Sequence, residues 1–207
     1  MNTDVPANAG PSTRRYAKGE AKRREILVAA LAVVAGHGYR NSTLQEIADA
    51  VELTKAGVLH YFDSRDDLIA QVVRERDLHD GVAYTPADGD SLTQLRRTVE
   101  HNRSVPGLVQ LYSRLVVEAE APEHPAHAYV FERYDNLVQS LAEGVRRRQE
   151  AGTARPDLDP VVAARMAIAL SDGLQLQWLH DQSLDMSAVF DAAMALVLEP
   201  RAAGWSQ

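Results

Sequence analysis

Seven residues, Lys55 to Tyr61, set an ammonium, an imidazole and a phenol around two residues with almost no side chain, Ala56 and Gly57. The chemistry this allows is binding, not bond-making. Lys55 can donate to a guanine edge or a phosphate oxygen. His60 and Tyr61 can donate to phosphates, and the small residues between let a nucleic acid come close. Thr54 stands where a hydroxyl can cap a helix, and a helix N-terminus suits a phosphate. A second group lies far along the chain: Tyr112, Tyr134, Asp172, Gln175 and Trp178 are polar or aromatic residues within strongly apolar stretches. A small-molecule site combines apolar walls with a few such groups. The aromatics equally suit a core, and Asp172 could pair with a cationic ligand, an arginine, or a residue across a subunit interface. His124 and His127, with Glu123 beside them, have a spacing that metal sites use, but no second ligand cluster accompanies them and capping or packing is the favoured reading. No metal or cofactor is expected. The chain has no cysteine, no glycine-rich phosphate loop and no serine nucleophile elbow, so no catalytic motif supports an enzyme.

The elements that must position these groups read as helices throughout. Ile26, Leu27, Ala30, Leu31 and Val34 recur at the spacing of one buried helical face, which predicts a helix from about Lys18 to Ala35, with Gly36 and Gly38 as stops. Thr43 with Glu46 forms a capping box and opens a second helix ending near Ala50. Thr54 opens a third through Tyr61. Two short helices joined by a three- to four-residue turn read as helix-turn-helix. Ser64 with Asp67 makes another capping box before a long fourth helix with Leu68, Ile69, Val72 and Val73 on its apolar face. Glycine and proline predict a loop over 79–90. Further helices follow on Leu92, Leu95 and Val99, on Leu108, Leu111, Tyr112 and Leu115, on Val130 to Val145, on Val161 to Leu179, and on Met186 to Val197. Strand-like alternation is absent, so the expected fold is all-α.

Composition is that of a globular chain: 45% hydrophobic and 25% charged over 207 residues, enough for a sizeable core. The net charge of −7 argues against a general nucleic-acid coat. Yet Arg14, Arg15, Lys18, Lys22, Arg23 and Arg24 crowd together, opposed only by Glu20. This local basic segment fits a partner with phosphates at one end, or a solvated tail. The apolar run at 26–36 follows it but is too short to span a bilayer, and Glu20 and Glu25 interrupt its flank. Neither export nor a membrane span is expected.

Residues 42–68, with the first helix and the segment "GHGYRNST", resemble the DNA-binding region of the TetR family of bacterial transcriptional regulators. The Ile47–Ala48 pair, the Tyr61–Phe62 end and the Ser64–Arg65 start fall at the family's spacing. Beyond about fifty residues the likeness is one of helix pattern. The resemblance implies an N-terminal three-helix domain with a helix-turn-helix and a larger helical domain for ligand binding and dimerisation. It places Tyr61, Thr43 and Arg65 at positions that touch the DNA backbone. Glu52 stands where the family usually has glycine, which leaves two readings: a left-handed residue at a cost of about 1 kcal/mol, or a different turn. Gly57 and Leu59 replace the commoner hydroxyl and tyrosine.

The expected organisation is a disordered basic arm (1–17), a DNA-binding domain (18–64) and an effector and dimerisation domain (65–207). The expected function is a cytoplasmic, homodimeric repressor released from a palindromic double-stranded operator by a small molecule. A helical ligand-binding or interaction module without operator binding is the alternative. The candidate DNA contacts are Arg23, Thr43, Thr54, Lys55, Ala56, Gly57, His60, Tyr61 and Arg65. The candidate pocket comprises Leu108, Leu111, Tyr112, Leu115, Tyr134, Asp172, Gln175 and Trp178, with a largely apolar, uncharged effector. The dimer is expected to use the two long helices near 128–150 and 160–180.

Overall fold

The structure is a computed structural model that describes residues 11–38, 42–84 and 89–199. Among these residues the chain forms nine helices and no strand: α1 (Pro11–His37), α2 (Leu44–Ala50), α3 (Lys55–Leu59), α4 (Arg65–Tyr84), α5 (Ser91–Asn102), α6 (Pro106–Glu118), α7 (His127–Glu150), α8 (Pro160–Trp178) and α9 (Met186–Leu198).

Local chemistry sets most of the boundaries. Thr43 caps α2 in a full capping box, its hydroxyl taking the Glu46 N–H while the Glu46 carboxylate takes the Thr43 N–H. Asp90, Asp159 and Asp185 cap α5, α8 and α9 in the same sense. Gly38 ends α1 in the left-handed region at φ 76°, its N–H closing on the Val34 carbonyl at 3.0 Å.

Three boundaries depart from expectation. α1 starts at Pro11, so the segment read as a disordered arm up to residue 17 is helical from there; residues 1–10 lie outside the described residues. Proline is favoured in the first helical turn, and the arginines, alanine and lysine after it are good helix formers. A missing apolar period removes a packing face, not helix propensity. α4 runs to Tyr84, six residues into the expected loop. Arg76 and Asp80, four apart on α4, are both buried and paired at 3.3 Å, which fixes a turn that one glycine does not break. α3 stops at Leu59, with His60 as its C-cap.

Two buried clusters hold the helices together. The first joins Ile26, Ala30 and Val34 of α1, Ile47 and Ala48 of α2, Val58 of α3, and Leu68, Val72 and Val73 of α4 to Leu108, Leu111 and Leu115 of α6. The second joins Leu92 and Val99 of α5, Leu141 and Val145 of α7, Ala163 and Ala167 of α8, and Met186 and Phe190 of α9. The expected domain boundary at residue 64 therefore coincides with no break in packing, because α4 and α6 complete the core of the helix-turn-helix. The junction is tight. A β-carbon at Gly107, near the start of α6, would lie 2.0 Å from the Val34 carbonyl oxygen of α1.

Candidate nucleic-acid interface and ligand cavity

The turn between α2 and α3 is built by backbone bonds from Val51 and Leu53 to the Ala48 carbonyl, at 3.2 and 2.9 Å. Closing it puts Glu52 at φ 55°, the left-handed one of the two readings open where the sequence lacks glycine. Thr54 then caps α3 by accepting the Gly57 N–H at 3.0 Å. Val58 and Phe62 are buried beneath α3 and anchor it to the first core. The opposite surface exposes Thr54, Lys55, Ala56, Leu59 and His60, with Gly57 and Tyr61 half-buried. A β-carbon at Gly57 would meet the Thr54 hydroxyl at 3.3 Å, so the small residue serves the cap as well as the surface.

The helix is held from behind. Lys22 donates to the Val51 carbonyl at 2.8 Å, and Arg23 donates to the Tyr61 carbonyl at 3.4 Å with its guanidinium over the Phe62 ring. Two cations of the basic segment thus tie α1 to both ends of the turn and recognition helix. Arg23, expected at the DNA, acts here as a brace. In contrast, the polar ends of Lys55 and Arg65 make no hydrogen bond or ion pair with the described residues, and neither does the Tyr61 hydroxyl; the His60 ring meets only the edge of Tyr61. Thr43 lies exposed at the start of α2, its hydroxyl engaged in the capping box.

A cavity of about 490 Å³ opens between α4, α5, α7 and α8. Of the candidate pocket residues, Tyr112, Asp172 and Gln175 line it. Tyr134 is not a lining residue but bonds two that are, donating to Asp172 at 2.8 Å and accepting from the Tyr112 hydroxyl at 3.4 Å. The other four candidates do not line it. Leu108, Leu111 and Leu115 face the first core and Trp178 the second, where their spacing serves packing alone. The walls combine apolar surface from Leu95, Leu137 and Ile168 with charged groups. Arg133 clamps Asp77 through Nε at 2.5 Å and Nη2 at 3.3 Å, donates to the Tyr112 hydroxyl at 2.7 Å and lies over the Tyr112 ring. Tyr129 also donates to Asp77. Arg76 pairs with Asp80, Asn102 and the Leu108 carbonyl, and Asn102 donates to Gln175 at 2.7 Å. Two polar networks therefore cross the cavity between α4 and the helices opposite. Burial pushes the Asp172 carboxyl above its usual range, against the opposing effects of the Tyr134 hydrogen bond and the Arg133 charge.

Sequence reasoning missed Arg76, Asp77, Asn102 and Arg133. A signal existed for one of them: Arg76 and Asp80 continue the stripe of Ile69, Val72 and Val73 at helical spacing, so charges were heading for the interior.

Other candidate chemistry resolves into local structure. His124 accepts the Ala126 N–H at 3.1 Å, and His127 meets the Ala119 carbonyl at 2.8 Å, both trimming the turn before α7. No helix among the described residues is long and apolar enough to cross a membrane. An apolar stripe does remain on the outside. Val162, Met166 and Leu176 of α8, and Val189 and Leu196 of α9, are exposed, Leu196 by 85%. Ala169 and Gly173 continue the α8 stripe, and nothing lies within 4 Å of a β-carbon built on Gly173. Much of α7 packs on α8, and the exposed stripe runs over α8 and α9.

Comparison with known proteins follows the same division. Residues 26–72 match the model of "Bacterial regulatory proteins, tetR family". The HTH-type transcriptional regulatory protein RaaS of Mycobacterium tuberculosis is 29% identical over 183 residues, 84% of this chain and 80% of that protein. The HTH-type transcriptional repressor DhaR of a Mycobacterium species is 23% identical over 83% of this chain and 92% of its own. Among solved structures, a transcriptional regulator from Saccharomonospora viridis in complex with choline superposes with a TM-score of 0.65 at 25% identity, covering 88% of this chain and all of that one. The regulatory protein TetR from Rhodobacter sphaeroides gives a TM-score of 0.66 at 19% identity, over 86% of this chain and 98% of its own.

Proposed function

We propose, on the premise that the chain belongs to the TetR family of bacterial regulatory proteins, that it is a ligand-responsive repressor released from its operator by a small molecule. The observation that carries this reading is the surface of α3 and its flanks. Lys55, Tyr61 and Arg65 present polar groups without a partner among the described residues, on a helix braced by Lys22 and Arg23. A rigid presentation of unsatisfied donors suits the major groove and its phosphates. Thr43 and His60 extend the same surface, while Thr54, Ala56 and Gly57 shape its approach.

A palindromic operator needs two such surfaces about 34–36 Å apart, one duplex turn. The exposed stripe on α8 and α9 supports a two-fold dimer, since an unpartnered apolar face of this kind marks an interaction surface. A protein that acts on operator DNA belongs in the cytoplasm, and we assign it there.

Release follows from the way the cavity is walled. Arg76, Asp77 and Asp80 lie on α4, whose first residue is the DNA candidate Arg65. A ligand that rearranges the Arg76 and Asp77 networks shifts α4, and the tight Gly107 contact passes displacement of α6 to α1. The effector need only favour the released arrangement by a few kcal/mol. The experiment is selection of bound duplexes from a random pool, then a screen for ligands that dissociate the selected site. Recovery of a two-fold symmetric sequence supports the reading; no enrichment overturns it in favour of a module without operator binding.

A further inference from the structure

We infer that the cavity takes an organic cation, an ammonium or amidinium bearing a compact aliphatic part, with Asp172 as its counter-ion. This rests on the reading of the cavity as the effector site and names the chemistry of the effector.

The charge count inside the cavity is uneven. Two arginines and four carboxylates line it. Both arginines are already neutralised by neighbours: Arg133 holds Asp77 with two nitrogens, and Arg76 is paired with Asp80. Among the described residues Asp172 and Glu132 form no ion pair, although the Arg133 charge also acts on Asp172. Glu132 is exposed and solvated, whereas Asp172 is half-buried and receives one hydrogen bond, from the neutral Tyr134 hydroxyl. A partly buried carboxylate with a single neutral donor is an incomplete arrangement, which a cation completes. Burial, the strongest influence on this carboxyl, has the sense expected of a site awaiting its counter-ion.

The remaining walls fit the rest of such a ligand. Leu95, Leu137 and Ile168 supply apolar surface at the same cavity. The Tyr112 face is already occupied by Arg133, 4.5 Å from the ring centre, so the cation must be anchored by a carboxylate and not by that ring. An anionic ligand is disfavoured, because it would face two carboxylates that form no ion pair among the described residues and would have to strip Arg76 or Arg133 from its aspartate.

The test uses three probes that share one chain and differ in their head: hexylamine, hexanol and hexanoate, titrated by calorimetry into the full-length protein without DNA. Hexylamine is expected to bind and the other two to bind at least about tenfold more weakly. Asp172→Asn keeps the side-chain shape and is expected to lower hexylamine affinity by about tenfold or more, while hexanol binding stays as in the wild type. Tyr134→Phe retains the carboxylate and is expected to keep the preference for hexylamine over hexanol. Hexanol or hexanoate binding as tightly as hexylamine would overturn the inference, as would an unchanged Asp172→Asn or the absence of hexylamine binding at millimolar concentration. Operator binding of the unliganded protein is measured separately. Asp172-dependent amine binding without any operator would sink the repressor and leave the cation site standing; operator binding with no amine preference would do the reverse.

Discussion

Substituting Gly107 by alanine should loosen the joint that couples the ligand cavity to the recognition helix. The new β-carbon would stand 2.0 Å from the Val34 carbonyl oxygen and 2.8 Å from the Gly38 Cα. Real β-carbons essentially never come nearer than 3.0 Å, and both obstacles are backbone, which cannot rotate away. The start of α6 must therefore draw back from the end of α1 by about 1 Å. Overpacking of this kind costs about 1–3 kcal/mol. The consequence reaches further than stability. The Leu108 carbonyl that receives Arg76 moves with α6, and α1 carries the Lys22 and Arg23 braces of the recognition helix. Urea unfolding should show a lower midpoint at an unchanged slope, and fluorescence anisotropy on the selected operator should show weaker binding at fixed salt. Gly36→Ala is the control. Nothing lies within 4 Å of a β-carbon there, and the residue sits inside α1, so it should stabilise the protein by up to about 1 kcal/mol. A Gly107→Ala protein as stable as the wild type, with the same operator affinity, would refute the coupling through this contact.

Glu52→Gly should relieve about 1–2 kcal/mol of left-handed strain against about 0.4–1 kcal/mol of added unfolded-state entropy, a small net gain in urea unfolding; it also removes a carboxylate beside the DNA surface, so operator affinity should rise. Ala169→Arg should yield a folded monomer by sedimentation, whereas Ala167→Arg, fully buried within the protomer, should fail to fold; a stable Ala169→Arg dimer would move the interface elsewhere. The Thr43 N–H holds the Glu46 carboxyl below its usual range, and the Ala188 N–H does so for Asp185. Burial alone would raise Asp90, but Arg148 and Thr93 hold it below as well. Depressed carboxyls stabilise the fold above the ordinary carboxylate range, and this is lost as pH falls through their folded values, so unfolding midpoints should drop between neutral pH and about 3. Asp172 has the opposite sign: its charge costs stability at neutral pH, so Asp172→Asn should be the more stable protein there, with the gain vanishing on acidification.

What could be seen in the sequence was what local rules govern. Thr43 with Glu46 and Thr54 with Gly57 lie three residues apart, and a cap is decided within one turn, so the helix-turn-helix was legible to its hydrogen bonds. Whether Glu52 would take the left-handed conformation or alter the turn stayed open, because that depends on how the chain closes. The cavity was not legible, because its partners are remote: Arg133 and Asp77 are 56 residues apart, and Arg76 and Asn102 are 26. Spacing along α6 marked Leu108, Leu111 and Leu115 as buried but could not say against which neighbour; α1 and α4 took that face. Likewise a basic cluster reveals charge and not its direction, and Lys22 and Arg23 turned inward to carbonyls that no local pattern connects to them.

The central claim is that α3 and its flanks read an operator in the major groove. Its most direct test is the affinity of wild type and Lys55→Ala for the selected duplex, measured across a series of salt concentrations. The wild type should lose affinity steeply with salt, and Lys55→Ala should bind more weakly. If Lys55 meets a phosphate, the slope should fall by about one per protomer; if it meets a guanine edge, the loss should be confined to the specific sequence. Wild-type affinity for both proteins, with identical slopes, would contradict the claim.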